Sequence, residues 1–229
     1  MKNPPVRVLL IGAAGRMGKT VRELAENDPD IQIAMQCDLG DSINAAMKTC
    51  EVAIDFSQPE SIDEICSAAS QHGKSLVIGT TGHSQQERKT IEETAQSVPI
   101  VLASNFSVGV NVLFWLALKA AELLGSDFNP EIVETHHKTK KDKPSGTAKT
   151  LAEILKATRN NEIPVQSIRK GDVVGEHTVI FPGPGESLEL SHRAGNRGIF
   201  ALGALRAAKW VVHRPPKLYS MQDVLGLST

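Results

Sequence analysis

Residues Val6–Gly18, VRVLLIGAAGRMG, are the stretch that decides the fold of this chain. Val6–Ile11 is a short run rich in aliphatic and β-branched residues that ends at Gly12, which predicts a buried parallel strand. The helical spacing of apolar residues in Met17–Ala25 predicts that a helix follows the glycine-rich turn at once. A strand, a glycine-rich turn and a helix in this order are typical of a dinucleotide-binding unit.

Strands and helices continue to alternate as far as Ala103. Four further apolar runs predict strands that are short enough to be buried in a parallel sheet: Ile31–Cys37, Val52–Phe56, Ser75–Ile78 and Pro99–Ala103. Helices are predicted at Pro59–His72 and Ser84–Ser97, and Ser84 with Glu87 has the pattern of a capping box. This alternation places the first half in the α/β class, as a Rossmann-type doubly wound parallel sheet.

The second half of the chain has a different pattern. A long apolar helix is predicted at Val110–Leu124, followed by an alternating strand at Pro130–His137 and a helix at Thr147–Thr158. Three more runs predict strands, with a turn at 182–185 between the last two: Val165–Arg169, Glu176–Phe181 and Ser187–Arg193. This pattern predicts a smaller α+β domain with an open mixed sheet, and the uncovered face of such a sheet is a common oligomerisation surface.

The end of the chain is expected to return to the first domain. Gly198–Val212 has a helical pattern, and Tyr219–Leu225 predicts a short terminal helix that packs on the first domain. The predicted domains are therefore residues 1–106 with 197–229, which bind a dinucleotide, and residues 107–196, which bind the substrate and form the oligomer.

The composition excludes several classes of protein. The chain has 229 residues, 41% of them hydrophobic and 22% charged, and its formal net charge of −1 gives no reason to expect a nucleic-acid partner. Its start, MKNPP, does not resemble a signal peptide, and no apolar window approaches a membrane span, so a cytoplasmic protein with no membrane partner is expected. Cys37, Cys50 and Cys66 are isolated from one another, and no metal site is predicted.

The glycine-rich turn is a candidate cofactor site. The pattern Gly-x-x-Gly-x-x-Gly at 12–18 lets the backbone approach a pyrophosphate at the start of a helix, although a tight turn without a ligand is the alternative. Asp38 ends the second strand, where a carboxylate can accept hydrogen bonds from an adenosine ribose. No lysine or arginine lies close after Asp38, which favours NADH over NADPH, although Arg16 could still reach a 2′-phosphate.

Two further segments stand at the carboxyl ends of predicted strands, where doubly wound sheets bind their ligands. Gly79–Thr81 follows the fourth strand, and Ser104–Phe106 follows the fifth. Both consist of small, polar or aromatic residues, so both are candidates to line the same ligand site as the glycine-rich turn.

A basic segment dominates the second half. Residues 136–147, HHKTKKDKPSGT, place two adjacent imidazoles and four lysines before a Pro-Ser-Gly-Thr turn that opens an apolar helix. Cations close to a helix start suit an acidic small molecule, and the histidines can move protons. The alternative is a solvated basic loop before a helix cap.

Taken together, these motifs resemble the dihydrodipicolinate reductase (4-hydroxy-tetrahydrodipicolinate reductase) family of the diaminopimelate route to lysine. The similarity runs nearly end to end, and its most specific part is ETHHKTKKDKPSGTA at Glu134–Ala148. Further matching motifs are GAAGRMG at 12–18, IDFSQPES at 54–61, IGTTG at 78–82, ASNFSVGVN at 103–111, GEHTV at 175–179, SHRAGNRGIFALGAL at 191–205 and LYSMQDVLGL at 218–227.

The resemblance implies a role for each matching residue. It implies that the pyrophosphate lies at the glycine-rich turn (Gly12, Ala13, Ala14, Gly15, Arg16 and Met17) and the adenosine ribose at Asp38. Residues implied on the nicotinamide side are Gly79, Thr80 and Thr81, with Ala103, Ser104, Asn105 and Phe106 at the hinge. His136 is implied as the general acid/base and Lys140 as the proton donor. The cyclic dicarboxylate substrate is implied to bind His137, Gly146, Thr147 and Arg197.

The chain departs from the family pattern at two places. The segment from Asp38 to Glu51 is short, which affects the cofactor preference, and Lys143 replaces a small residue before Pro-Ser-Gly-Thr. The resemblance implies an NAD(P)H-dependent reductase that forms a homotetramer through the sheet of its second domain. The alternatives are another two-domain NAD(P)-dependent oxidoreductase, such as an amino-acid dehydrogenase, and a cofactor-binding relative without activity.

Overall fold

The computed structural model describes residues 4–227 of the chain. Contacts between Cα atoms divide these residues into two compact units, residues 4–106 with 198–227 and residues 107–197. The ends of the predicted first domain, residues 1–3 and 228–229, lie outside the described residues, as do the first three residues of the MKNPP start.

The first unit is a Rossmann-type sheet with helices on both faces, as the sequence predicted. Its six parallel strands lie in the order β10-β5-β4-β3-β1-β2. The strands are β1 (Val6–Ile11), β2 (Ile31–Cys37), β3 (Val52–Asp55), β4 (Ser75–Ile78), β5 (Pro99–Leu102) and β10 (Lys217–Tyr219). The helices are α1 (Arg16–Ala25), α2 (Ile43–Met47), α3 (Ile62–His72, after a 3₁₀ turn at Pro59–Ser61), α4 (Gln85–Thr94), α7 (Gly198–Val211) and α8 (Met221–Leu225).

Burial on both faces explains why the central strands are continuous apolar runs. In β1, Val8 and Leu10 join one hydrophobic core with α1 and α7, whereas Leu9 and Ile11 join a second core with α2, α3 and α4. Successive side chains of a strand point to opposite faces, so a strand that helices cover on both sides needs an apolar residue at every position.

The end of the chain completes this sheet. Lys217 pairs with Pro99 and Tyr219 with Val101, so the prediction that the tail packs back on the first unit is confirmed. The predicted helix over Tyr219–Leu225 was wrong at its start. Tyr219 ends strand β10, and the side chain of Ser220 caps helix α8 by accepting the backbone N–H of Asp223. Helix α2 was not predicted, because its five residues are too few for a periodic pattern.

The second unit is an open mixed sheet with two helices, as predicted. Its strands are β6 (Glu131–His136), β7 (Val165–Arg169), β8 (Gly175–Gly183) and β9 (Glu186–Ala194), in the order β7-β6-β8-β9. The pair β6–β7 is parallel, and the pairs β6–β8 and β8–β9 are antiparallel. Helices α5 (Val108–Leu124) and α6 (Gly146–Arg159) share its hydrophobic core with buried residues of β6 and β8.

The hairpin between β8 and β9 is tighter than predicted. Gly183 pairs with Glu186, so the turn at 182–185 shrinks to Pro184 and Gly185, and Gly185 has a φ of +83° that glycine adopts readily. Strand β9 is exposed along most of its length, which leaves one face of the sheet without a covering layer among the described residues. Within residues 4–227, no helix is long and apolar enough to cross a membrane.

Candidate active site

The glycine-rich turn lies between β1 and α1, where the backbone comes close to the next strand. Gly12 has a φ of +78°, and a Cβ atom there would lie 2.5 Å from the carbonyl oxygen of Phe56. Helix α1 begins at Arg16, immediately after Gly15, so its first backbone N–H groups have no helical partner. The turn therefore has the backbone conformation and the helix start that a pyrophosphate needs.

A cavity of about 330 Å³ opens beside this turn. It is lined by Ile11, Gly12, Gly15, Asp38, Leu39, Gly40, Asp41, Ile43, Phe56, Ser57, Gln58, Ser61 and Glu64. These residues come from the carboxyl ends of β1, β2 and β3 and from the helices or turns that follow. The cavity is concave and lined by apolar residues and by the carboxylates of Asp38, Asp41 and Glu64, so its residues could hold one half of a dinucleotide.

Asp38 forms one hydrogen bond with the glycine-rich turn and another with Asp41. The backbone N–H of Ala14 donates to its carboxylate, at 2.9 Å from Oδ1 and 3.1 Å from Oδ2. Its own backbone N–H donates to Oδ2 of Asp41 at 2.9 Å. Asp38 is nevertheless exposed, so its remaining lone pairs are open to a ligand in the cavity.

The residues predicted on the nicotinamide side lie at the carboxyl edge of the same sheet. Gly79 follows β4, and a Cβ atom at this position would lie 2.2 Å from the ring of Phe56. Thr80 is buried, Thr81 is exposed, and Phe106 is buried with its ring edge-on to Phe56 at 6.0 Å. Ala103 and Asn105 are half-buried, whereas Ser104 is exposed.

Asp55 is a buried carboxyl group that the sequence analysis did not single out. It ends β3 with no exposed surface, and its Oδ1 accepts the backbone N–H of Ser57 at 2.9 Å. Burial raises the pKa of Asp55, because its effect is larger than that of the hydrogen bonds from Ser57, which lower the pKa. The contact fixes the start of the segment that carries Phe56 and Ser57 along the cavity.

The second unit places His136 next to a buried carboxylate. The alternation of β6 puts Ile132, Glu134 and His136 on its buried face, and Glu134 has no exposed surface. Nδ1 of His136 forms a short contact with Oε2 of Glu134. Burial lowers the pKa of His136, the Glu134 carboxylate opposes that shift, and Lys140 and Arg169 reinforce it. Burial is the largest cause of this lowered pKa, and the two cations are smaller ones.

Arg169 compensates the buried charge of Glu134. Its guanidinium donates to Oε2 at 2.9 Å and to Oε1 at 2.8 Å, which is a bidentate pair. Burial acts to raise the pKa of Glu134, but the hydrogen bonds from Arg169, Ser167 and His136 outweigh it and lower the pKa to about 2. Glu134 is therefore ionised at neutral pH.

Ser145 links this cluster to helix α6. Its side chain caps the helix by accepting the N–H of Ala148 at 3.2 Å, and its backbone N–H donates to Oε1 of Glu134 at 3.3 Å. Oγ of Ser145 also lies 3.1 Å from Nε2 of His177, whose ring meets that of His136 edge-on at 5.0 Å. Burial and the adjacent His136 lower the pKa of His177 to about 3, so its ring is neutral.

The structure brings only some of the other predicted residues to this cluster. Nζ of Lys140 lies 2.8 Å from Oδ1 of Asp142. The backbone carbonyl of Asp142 accepts a hydrogen bond from Nη2 of Arg169 at 2.6 Å. The ring of His137 instead contacts Oγ1 of Thr139 at 2.8 Å. The other three predicted substrate-binding residues differ in exposure. Gly146, which is the first residue of α6, and Arg197 are exposed to solvent, whereas Thr147 is half-buried.

Sequence reasoning missed Glu134, Arg169 and Ser145 as site residues. A signal for Glu134 was present, because the alternation of the predicted strand put this carboxylate on the same face as Ile132 and His136. No comparable signal marked Arg169, which is 35 residues further along the chain and reaches Glu134 because β7 pairs with β6.

A glycine-rich turn at the carboxyl edge of a doubly wound sheet, together with a second mixed-sheet unit, defines a class of protein: the oxidoreductases that use a nicotinamide cofactor. The family model described as "Dihydrodipicolinate reductase, N-terminus" matches residues 6–106, and "Dihydrodipicolinate reductase, C-terminus" matches residues 109–225. The chain belongs to the dihydrodipicolinate reductase family.

Individual relatives agree with this assignment. The 4-hydroxy-tetrahydrodipicolinate reductase of Akkermansia muciniphila is 47% identical over 243 positions, which cover 97% of this chain and 99% of the relative. The enzyme of the same name from Methanoculleus marisnigri is 42% identical over 252 positions, which cover 97% and 100%. Both alignments are longer than the 229-residue chain, so these relatives carry residues that it lacks.

A solved structure has the same fold. The dipicolinate-bound dihydrodipicolinate reductase from Paenisporosarcina sp. TG-14 superposes with a TM-score of 0.82 at 21% identity, over 96% of this chain and 98% of that one.

Proposed function

We propose that this protein reduces 4-hydroxy-tetrahydrodipicolinate to tetrahydrodipicolinate, with loss of water and at the expense of NADH or NADPH, in the diaminopimelate route to lysine. The observation that carries the proposal is the buried pair of His136 and Glu134, with Lys140 close by in sequence, in a chain that its relatives match nearly end to end. A cofactor-binding protein without activity would have no need for an acid–base residue held in this way.

The cofactor half of the reaction is assigned to the first unit. We propose that residues 12–17 hold the pyrophosphate, Asp38 the ribose, and residues 79–81 and 103–106 the nicotinamide side. A nicotinamide cofactor held there would supply the hydride that reduces the ring carbon of the substrate, which loss of water makes electrophilic. The chain's own part is to fix the pyrophosphate on backbone N–H groups and to exclude water with buried residues such as Phe106.

The proton that completes the reduction is assigned to His136 and Lys140. Because Nδ1 of His136 contacts Glu134, Nε2 is the ring nitrogen that remains to exchange a proton with the substrate or with Lys140. Proton transfer of this kind contributes about 10²–10⁴-fold to a rate. The ammonium of Lys140 is half-exposed and paired with Asp142, and we propose that it acts as the proton donor.

The two substrate carboxylates are assigned to the start of helix α6. Gly146 and Thr147 are its first residues. A carboxylate at this position interacts favourably with the positive end of the helix dipole. We assign His137 and Arg197 to the same anion, since both can donate hydrogen bonds.

The preferred cofactor is proposed to be NADH. Three carboxylates line the cavity next to the turn, those of Asp38, Asp41 and Glu64, and none of the described residues that line it is a lysine or an arginine. A 2′-phosphate there would meet negative charge without a compensating cation, whereas a ribose hydroxyl can donate to Asp38.

The quaternary structure is proposed to be a homotetramer formed through the open face of the second sheet, where β9 is exposed. We also propose a cytoplasmic location, because the three cysteines are buried and unpaired, as in reducing compartments. Light scattering on the purified protein tests the first point, and a dimer or a monomer at micromolar concentration would contradict it.

One assay tests the activity. Freshly generated 4-hydroxy-tetrahydrodipicolinate is added to the protein with NADH or with NADPH, and the loss of absorbance of the reduced cofactor is followed. Oxidation that depends on both protein and substrate is the expected result, with a higher kcat/KM for NADH. Absence of oxidation with either cofactor would rule out the proposed reaction.

A further inference from the structure

The position of Glu134 is unusual for a carboxylate. Its side chain has no exposed surface, and it is ionised. A buried charge is stable only when strong hydrogen bonds replace water, and Glu134 has them from Arg169, from His136 and from the backbone of Ser145. An apolar residue of similar volume could fill the same space and would need none of these partners. Packing alone therefore does not explain why a carboxylate lies at this position.

The contact with Glu134 decides which nitrogen of His136 carries the proton in the neutral ring. An ionised carboxylate has only lone pairs to offer, so Nδ1 must be the protonated nitrogen that faces it. Nε2 then presents its lone pair when the ring is neutral, and a proton when the ring is charged. A Cβ atom at position 175 would lie 3.0 Å from Nε2, so glycine at this position leaves room beside that nitrogen.

The same carboxylate is connected to the other proposed site residues. Through Ser145 it is bonded to the cap of helix α6, where Gly146 and Thr147 begin the helix. Through Arg169, which also donates to the carbonyl of Asp142, it is connected to the loop in which Asp142 pairs with Lys140. The acid–base histidine, the lysine and the helix start are therefore all linked to one buried group.

We infer that Glu134 is a positioning residue for the proton-transfer step. Glu134 orients His136 so that Nε2 points toward the reacting proton, and it holds the loop that contains Lys140 and the start of α6 in fixed positions relative to that histidine. This inference rests on the proposed function, because it assumes that His136 exchanges a proton with the substrate. It assigns Glu134 no contact with substrate or cofactor.

The first test is the tautomer of His136 in the wild-type protein. Nitrogen chemical shifts of ¹⁵N-histidine-labelled protein, assigned with His136→Gln, distinguish a ring protonated at Nδ1 from one protonated at Nε2. We expect the Nδ1–H tautomer above the pKa of His136. Observation of the Nε2–H tautomer would overturn the inference, whether or not any Glu134 variant folds.

The second test is the replacement Glu134→Gln, with Glu134→Asp as the conservative variant. We expect Glu134→Gln to lower kcat by about 10–100-fold, as losses of orienting partners do, with partial recovery in Glu134→Asp and an unchanged Kd for NADH. The carboxylate raises the pKa of His136, so its loss should also shift the His136 limb of the kcat–pH profile toward lower pH.

Glu131→Gln is the matched control, because Glu131 lies on the same strand but is exposed. Its kcat and pH profile should equal those of the wild type. A folded Glu134→Gln variant with wild-type kcat and an unshifted profile would refute the positioning role while leaving the proposed reaction intact. A wild-type protein that oxidises neither cofactor would refute the proposed reaction instead, and the tautomer measurement would still decide how Glu134 holds His136.

Discussion

Asp38 and Ala14 are joined by a bifurcated hydrogen bond, in which the backbone N–H of Ala14 lies 2.9 and 3.1 Å from the two carboxylate oxygens of Asp38. This hydrogen bond connects the residue that follows β2 to the glycine-rich turn. One carboxylate thus supports the turn proposed to hold the pyrophosphate and faces the cavity proposed to hold the ribose.

Asp38→Ala should raise the KM for NADH by roughly 10–100-fold, because a hydrogen bond to a charged group is worth about 1.5–3 kcal/mol. The KM for the dicarboxylate should change little, since its proposed site is in the other unit. Steady-state kinetics with each substrate varied in turn would check this. Asp63→Ala, at an exposed carboxylate of α3, is the control, and a wild-type KM for NADH in Asp38→Ala would contradict the proposed ribose contact.

His136→Gln should lower kcat by about 10²–10⁴-fold, because it removes the proposed acid–base group. The Kd for NADH, measured by fluorescence titration, should stay at the wild-type value. His213→Gln, which alters an exposed histidine of the first unit, is the matched control and should have normal kinetics. If His136→Gln turned over at the wild-type rate, His136 would have no acid–base role.

Lys140→Ala should both raise the KM for the dicarboxylate and lower kcat, because the ammonium group is proposed to attract the anion and to donate a proton. Lys138→Ala is a stringent control, since Lys138 is an exposed cation only two residues away. The two variants have the same net charge, so a difference between them reports position rather than overall charge. Equal kinetics for Lys140→Ala and the wild type would disprove the assignment.

His177 should make the protein less stable as the pH falls. Its pKa is about 3 in the folded protein and near 6.5 when the ring is exposed, so between these values the unfolded chain binds the extra proton. Stability from this group is complete above pH 6.5 and decreases below it by about 1.4 kcal/mol per pH unit.

Urea unfolding at pH 7 and pH 5 measures the total loss of stability, of which His177 accounts for about 2 kcal/mol over the part of the interval below pH 6.5. Both pH values lie above 4.5, the ordinary pKa of a glutamate, so the stability that comes from the lowered pKa of Glu134 is nearly complete at both of them. His177→Gln should be less stable than the wild type at pH 7, because the contact between Ser145 and the imidazole of His177 is lost, but it should lose less stability between the two pH values. Equal losses in both proteins would show that His177 does not titrate as described.

The two alternative functions make different predictions in these experiments. An amino-acid dehydrogenase would leave 4-hydroxy-tetrahydrodipicolinate unchanged, and a protein without activity would bind NADH but oxidise none. Membership of the dihydrodipicolinate reductase family favours neither alternative.

The sequence by itself determined the two-unit architecture, because hydrophobic periodicity is a local property. Strand β1 and the turn after it were predicted at their observed positions, as were β2 and β4. Strand β10 was not, since its three residues show no period and form a strand only by pairing with β5, more than a hundred residues earlier. The motif around His136 was likewise visible in the sequence, because its residues are consecutive.

The partners of the site residues were decided by the tertiary structure alone. Arg169 meets Glu134 through the parallel pairing of β6 with β7, and His177 meets Ser145 after a separation of 32 residues. Sequence patterns indicate which face of a strand is buried, but the contacts of a buried charge depend on which strands lie side by side. The packing of the whole unit sets that order. The resulting contacts of the buried charges then determine the protonation states on which the proposed chemistry rests.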